Sequence, residues 1–296
     1  MASNLRIAIN GLSILNRSGT GRVVEGLLDG LSQIQPSGLH CDVLLPRDAH
    51  IKPAWEQAEH LTFHSIGPSS AIQRVLWQQI ILPHWVHRHS CGVLHSPAFV
   101  APVYGLGRTR SVITIHDLAF LRFPETVRWE RRMYYRWAVL ASMKKAHLIF
   151  TDSEAIRREL ISTDIPDENL RVLPLGVDER FFSVPDDQVL RVRGKFNLPD
   201  RYLLTVGTIE PRKNLETLIK AHQQVPDALP LAIAGRLGWG FFNTVGKRKV
   251  SLLDYVPDED LPGWYAGADL FLAPSSYEGF GLTVLEAMSA GCPVPA

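Results

Sequence analysis

Short apolar segments alternate with amphipathic ones along the whole 296-residue chain, and that alternation restricts its fold more than any other feature. Strand-like runs read at residues 5–10, 41–46, 61–66, 92–95, 111–116 and 147–151, and again at 170–174, 202–206, 230–235, 249–256 and 268–273. Several are apolar without interruption, as expected of parallel strands that helices cover on both faces. After the first run, Val23, Val24, Leu27, Leu28, Leu31 and Ile34 recur with helical period. Strands and helices in strict turn predict an α/β chain with doubly wound parallel sheets.

A chain of this length is expected to hold two domains, each with its own core. The change of character between residues 174 and 201, where PLGVDERFFSVPDDQ is rich in Pro, Gly and acid, reads as the linker. It gives domains 1–182 and 183–296, with the carboxyl ends of their strands toward a cleft. Thirty-one Lys and Arg against thirty Asp and Glu leave a formal charge of +1, which argues against a polyanion-binding coat and against a disordered acidic chain. Three cysteines, Cys41, Cys91 and Cys292, are too few for a disulfide framework and suggest a reducing compartment. No apolar run reaches the eighteen or so residues that span a bilayer. LRIAIN enters a strand at once without a leader, so the expectation is a cytoplasmic protein. At the other end Cys292, Pro293 and Val294 read as the start of one more strand, so the second domain is expected to be incomplete or unusually small.

Chemistry concentrates in SSYEGFGLTVLEAMSAG, after the apolar ADLFLAP. Gly279 and Gly281 flank Phe280 where strand gives way to helix near Leu282. Glycines there let the backbone approach a ligand, and the first N–H groups of a helix form an anion site. Glu278 precedes the turn and Glu286 follows eight residues later. Two acids so spaced can bracket a ligand, one near a reacting centre and one on a diol; the alternative is a helix with Glu286 on a solvated face. In VGTIEPRKNL, Arg212 and Lys213 follow a strand end and suit a diphosphate, Arg as a fork and Lys as a point charge, or are plain surface cations.

Four other segments are weaker. NRSGTGRVVEG has Gly19-x-Gly21 but Val24 where a dinucleotide fingerprint wants glycine, so it reads as a flexible loop that could meet a substrate. His116 and Asp117 stand at the end of a buried strand and face either a cleft or the fold itself. His84, His87 and Cys91 of HWVHRHSC share a helical face, yet no carboxylate supports them and no metal is expected. Residues 122–145 are basic, with Trp129, Tyr134, Tyr135 and Trp137 interleaved. That pattern suits a solvated helix with a buried aromatic face, or a helix on anionic lipid; nucleic acid is disfavoured by the balanced charge.

Together VLHSPAFVAP, TIHDLAFLRFPE, FTDSEAIRREL, RVLPLGVD, VGTIEPRKNLETLI, AGRLGWG and DYVPDEDLPGWYAGADLFLAPSSYEGFGLTVLEAMSAGCPV resemble the GT-B retaining glycosyltransferases of family 4, which include bacterial mannosyltransferases of polysaccharide and lipopolysaccharide assembly. The segments keep the family's order over nearly the whole chain, and Glu278 to Glu286 is the most specific. The resemblance implies two Rossmann-like domains facing a cleft, an acceptor-side domain followed by a donor-binding one. It implies hexose transfer, mannose first, from a GDP- or UDP-sugar to a glycan or lipid-linked acceptor, in the cytoplasm or at the inner face of the membrane. On matching positions, Glu286 binds the donor ribose, and Glu278 lies by the transferred sugar. Phe280, Gly281, Leu282 and Thr283 offer backbone N–H groups, Arg212 and Lys213 neutralise the diphosphate, His116 touches the sugar, and the loop at Gly19 and Gly21 closes on donor or acceptor. No cofactor or metal is implied, since the two cations take a metal's place and no Asp-x-Asp motif is present. The chain departs from the family after AGRLGWG, where FFNTVGKRKV is a poor helix, and beyond GCPV, where the family continues. A donor-binding protein without turnover is therefore the rival expectation, and a sugar-nucleotide epimerase of the same fold a third.

Overall fold

The computed structural model describes residues 5–16, 19–123, 129–238 and 248–295. Among them eleven strands form two sheets, parallel throughout. The first contains β1 (Leu5–Asn10), β2 (Leu39–Pro46), β3 (Leu61–Gly67), β4 (Val93–Ser96), β5 (Arg110–Ile115), β6 (Leu148–Thr151) and β7 (Leu170–Val172), in the order β3-β2-β1-β4-β5-β6-β7. The second contains β8 (Leu203–Val206), β9 (Leu231–Ala234), β10 (Val250–Leu253) and β11 (Leu270–Phe271), in the order β10-β9-β8-β11. Every expected strand is present, shifted at most by a few residues. Each sheet reverses its strand order once, beside its own first strand, as doubly wound sheets do.

Burial explains the strands. All four residues of β9, LAIA, are buried, and six of the eight in β2. In the first unit the helix Gly19–Gln33 lays Val24 and Leu28 into a core with Ile9, Val43 and Leu45. Each such side chain contributes about 1.5–3 kcal/mol when taken wholly from water. The periodic run stops short of its last expected member, because the helix ends at Gln33 and Ile34 is half-exposed. The helix Trp129–Lys145 buries Ala138, Val139 and Met143, while Trp137, expected on a buried aromatic face, stands half in solvent. The side chains of Trp129, Tyr134 and Tyr135 lie outside the described residues.

The second unit packs around aromatic residues. Trp264, Tyr265, Tyr202, Phe181 and Phe271 are all buried in one cluster, and the Tyr202 hydroxyl donates to the Trp264 carbonyl at 2.7 Å. Asp260, fully buried, joins the helix Asp186–Phe196 to the helix Leu261–Ala266 through Arg191 at 2.8 Å and Lys195 at 2.5 Å. The first unit ends at Leu175, and the chain from Gly176 onward belongs to the second together with Phe123, so the crossing comes earlier than the expected boundary after residue 182. The reason is Phe181: it is 1% exposed within the second core, with Val177 packed alongside. A stretch that reads as linker by its Pro, Gly and acid content is anchored by one aromatic side chain. The strand start expected at residues 292–294 is expressed as a single ladder bond, Phe271 N–H to the Pro293 carbonyl at 2.8 Å, with Val294 packed on the core. Of FFNTVGKRKV, the first seven residues lie outside the described residues.

Candidate functional site

In the second unit the strand order reverses between β8 and β11, and the expected phosphate-binding and acidic segments both meet at that point. β8 runs into Gly207, and β9 into Gly235, with φ of +149° and +155°. A Cβ on Gly235 would lie 1.9 Å from the Gly207 carbonyl oxygen, so only glycine lets these two strand ends approach so closely. Beyond Gly207 one tight turn, Pro211–Lys213, carries the two cations, and Asn214 at φ +52° starts the helix Leu215–Gln224. Lys213 folds back over Gly207: a Cβ there would meet its Cε at 3.2 Å.

From the other side, β11 leads through a loop to Gly281, which takes φ +89° as the cap of the helix Leu282–Ser289. Nothing crowds the Cβ direction of Gly281 closer than 3.8 Å, so its glycine serves the left-handed turn and leaves the helix start open. Lys213 Nζ donates to Glu278 Oε1 at 2.5 Å, and Arg212 Nη1 donates to Glu278 Oε2 at 3.0 Å and to the Tyr277 carbonyl at 2.7 Å. Burial pushes the Glu278 carboxyl up, but Lys213 and Arg212 outweigh it and hold it below the usual glutamate range. A small cavity opens at the carboxyl ends of the strands, walled by Thr205, Gly207, Lys213, Pro274, Ser275 and Thr283. Lys213 is thus the cation of the cavity wall. Arg212 turns toward Glu210, whose Oε1 accepts from its Nε at 2.9 Å and lies 2.7 Å from its Nη2.

Glu286 is only 2% exposed, and Tyr265, itself buried, donates to its Oε2 at 3.0 Å. The solvated face that was the alternative for Glu286 is therefore not found. Phe280 and Leu282 flank Gly281, and Thr283 reaches the cavity wall, so the expected backbone donors lie at one helix start.

The first unit gathers its polar residues at strand ends as well. His116 follows β5 and Asp152 follows β6; both are buried, with Nδ1 of His116 2.8 Å from Asp152 Oδ2. Its Nε2 lies 2.8 Å from the Pro97 carbonyl. Burial alone lowers the His116 pKa, yet the Asp152 carboxylate and, more weakly, the Pro97 carbonyl and Asp117 raise it above the ordinary value. Both ring nitrogens therefore face protein acceptors, and a sugar hydroxyl reaching Nε2 has to displace the Pro97 carbonyl. Asp117 does something else: its Oδ1 accepts from Ala119 N–H at 3.0 Å at the start of the helix Ala119–Arg122. Asp152 escaped the sequence reading; its signal is an acid placed directly after the apolar LIFT and before the helix-capping Ser153.

The two loop glycines differ. A Cβ on Gly21 would stand 2.0 Å from the Asn16 carbonyl oxygen, whereas among the described residues nothing lies within 4 Å of one on Gly19. Gly21 is thus a packing residue and Gly19 the exposed one. Arg74 Nη1 donates to the Leu12 carbonyl at 2.8 Å and to Asn16 Oδ1 at 3.1 Å, which holds the described part of this loop. His84 and His87 are exposed while Cys91 is buried, so HWVHRHSC does not assemble as a ligand set. Among the described residues no three His, Cys, Asp or Glu side chains are grouped to hold a metal ion, and no helix is long and apolar enough to cross a membrane.

Residues 17–181 match Glycosyltransferase Family 4, and residues 186–295 match the Glycosyl transferases group 1. The chain is 37% identical to O-antigen chain mannosyltransferase B of Escherichia coli over 68% of its own length and 56% of that protein's. It is 30% identical to the serotype-specific mannosyltransferase WbdA of Escherichia coli over 94% of its length, which is 37% of that protein's. The chain thus spans little more than half of one relative and about a third of the other. Among solved structures, WaaG, a glycosyltransferase involved in lipopolysaccharide biosynthesis, superposes with a TM-score of 0.71 at 16% identity, covering 97% of this chain and 80% of that one. HepE of Anabaena, solved with UDP and glucose, gives 0.67 at 20% identity, covering 98% and 80%. These likenesses place both units in the GT-B fold.

Proposed function

The chain belongs to Glycosyltransferase Family 4, and from that premise we propose that it transfers a hexose, mannose first, from a nucleoside-diphosphate sugar to a glycan or lipid-linked acceptor in cell-surface polysaccharide synthesis. One observation carries the reading. At the β8/β11 reversal a lysine, a carboxylate held anionic and the glycine-capped start of a helix converge beside a cavity. That arrangement suits a donor whose leaving group gains negative charge while its sugar gains positive charge.

The chemistry follows from charge. The bond between the anomeric carbon and the phosphate oxygen breaks and its electron pair leaves with the diphosphate. Lys213 and the helix start at Leu282 and Thr283 stabilise that developing charge. Glu278 orients the sugar hydroxyls and offsets the cationic character of the ring. The acceptor hydroxyl attacks from the face the phosphate leaves, a phosphate oxygen takes its proton, and configuration is retained without a protein base or a metal. Glu286 receives the ribose through the carboxylate that Tyr265 steadies. His116 is assigned to the sugar through Nε2, once it is released from the Pro97 carbonyl.

Thermal unfolding with GDP, UDP, GDP-mannose and UDP-glucose tests the reading. A ligand at a hundred times its Kd adds about 2.7 kcal/mol. The expected result is a rise with one nucleotide and its sugar, followed by transfer to an acceptor with the anomer conserved. Indifference to all four overturns the reading, and a rise without transfer leaves a donor-binding protein.

A further inference from the structure

Resting on the donor-site reading above, we propose that Glu210 and Arg212 form a clamp that positions Glu278, and that Lys213 alone among these cations meets the donor diphosphate. The two neighbours Arg212 and Lys213 are equivalent in sequence and unequal in space. A guanidinium offers its donors in a rigid planar fork. In Arg212 all three nitrogens are committed: Nε and Nη2 to Glu210 Oε1 at 2.9 and 2.7 Å, and Nη1 to the Tyr277 carbonyl and Glu278 Oε2 at 2.7 and 3.0 Å. The backbone runs beside this strap, with Ser276 N–H on the Arg212 carbonyl at 2.9 Å. Turn 211–213 and loop 275–278 are thereby tied twice.

Glu210 decides which cation can leave. Its side chain is 8% exposed, and taking Arg212 from it would strand a buried carboxylate, which is strongly unfavourable. Lys213 has a flexible stem and a point charge, stands in the cavity wall, and is paired with Glu278, whose side chain is 31% exposed. A diphosphate at the mouth of the cavity, against the helix start, draws Lys213 off Glu278 by rotation of that stem. Glu278 then keeps Arg212 and remains anionic and in place for the sugar. The two acids and two cations balance before binding, and Lys213 exchanges the single charge of Glu278 for a diphosphate that carries at least two.

Nucleotide affinity and turnover separate the two roles. GDP and UDP titrated by calorimetry into Lys213→Ala should bind at least tenfold more weakly than into the unaltered protein. Glu210→Ala should keep the nucleotide Kd within twofold but lower kcat tenfold or more at unchanged KM. Glu210→Gln, which keeps an oxygen acceptor for Arg212, should restore kcat. Hydrogen exchange at the Ser276 amide reads the clamp without any ligand: faster in Glu210→Ala, protected in the parent and in Glu210→Gln. Glu210→Ala with parental kcat and a protected Ser276 overturns the clamp. Glu210→Ala that loses nucleotide as heavily as Lys213→Ala overturns the division of labour and makes Arg212 a diphosphate ligand. A parent protein that binds neither nucleotide overturns the donor-site reading and the role of Lys213 with it, while exchange at Ser276 still decides the clamp.

Discussion

The two sheets begin alike and end differently. Counted from its own first strand, each runs third, second, first, fourth, and each collects polar residues at the carboxyl ends of its strands. In the first unit those residues close on one another. His116 is held by Asp152 and the Pro97 carbonyl, and Asn10 Nδ2 donates to Ser96 Oγ at 3.4 Å, all buried or nearly so. In the second unit Lys213 lines a cavity, and its partner Glu278 keeps about a third of its side chain exposed. One topology therefore supports two uses of charge. A pair sealed among strand ends leaves a buried group stranded when one partner goes, whereas Glu278, partly open to solvent, still has Arg212 when Lys213 is withdrawn.

The hardest test of that contrast removes one charge from each edge. Asp152→Ala leaves the buried His116 without its carboxylate, a loss of about 3–5 kcal/mol for breaking a buried pair. For a protein of this size that is a fall in Tm on the order of 10 °C by differential scanning calorimetry. Lys213→Ala should do the opposite: stability falls less than in Asp152→Ala, because Glu278 keeps Arg212, while turnover falls about a hundredfold or more through lost leaving-group stabilisation. Equal damage to Tm from both substitutions would erase the distinction between a structural edge and a binding edge.

Much of this contrast cannot be read from the sequence, although the strands can. Each strand is an apolar run fixed by local composition, so all eleven are visible before folding. Pairings are another matter. His116 meets Asp152 because β5 and β6 are neighbours, and 36 residues separate the two in the chain. Arg212 parts from Lys213 because the Tyr277 carbonyl, 65 residues on, captures its fork. Glu210 was passed over beside two adjacent cations, since a lone acid before a proline has no pattern of its own. Phe181 misled in the same way: one aromatic residue outweighs a dozen residues of linker-like composition when it enters a core. Glu278 and Glu286 are legible as a spaced pair, but the burial of Glu286 depends on Tyr265 of another helix.

A pair of glycines sharpens the comparison at smaller amplitude. Gly21→Ala places a Cβ against the Asn16 carbonyl in the first unit, an overpacking cost of about 1–3 kcal/mol. Gly281→Ala meets only ordinary contact with Val284 in the second unit but demands a left-handed turn of an L-residue, about 1–2 kcal/mol. Denaturant unfolding should show comparable losses, yet only Gly281→Ala should also weaken nucleotide binding, because only there does the turn aim a helix start at the cavity. Nucleotide affinity untouched by Gly281→Ala would remove the helix start from the site.

The smallest effects concern pH, and there the two edges should part in sign. At the second edge the Glu278 carboxyl lies below its ordinary value, so its contribution is present above about pH 4.5 and is lost as pH falls through the folded value. At the first edge His116 lies above its ordinary value, so its contribution is complete below about pH 6.5 and is lost as pH rises through the folded value. His95, one strand away, opposes it: burial, and then the charge of His116, press its pKa down to about 4. It donates to or accepts from Thr114 Oγ1 at 3.1 Å as a neutral ring, and its contribution is lost as pH falls from about 6.5 toward that value. A ring-nitrogen NMR titration from acid to alkaline pH should therefore show two buried imidazoles on opposite sides of the free value, His116 holding its proton to higher pH than a free imidazole and His95 neutral well into acid. In Asp152→Asn the His116 midpoint should fall and the His95 midpoint should rise, because the charge that suppresses His95 has gone. Midpoints that coincide, or a His95 indifferent to Asp152→Asn, would mean that the strand ends of the first unit do not share one closed electrostatic cluster.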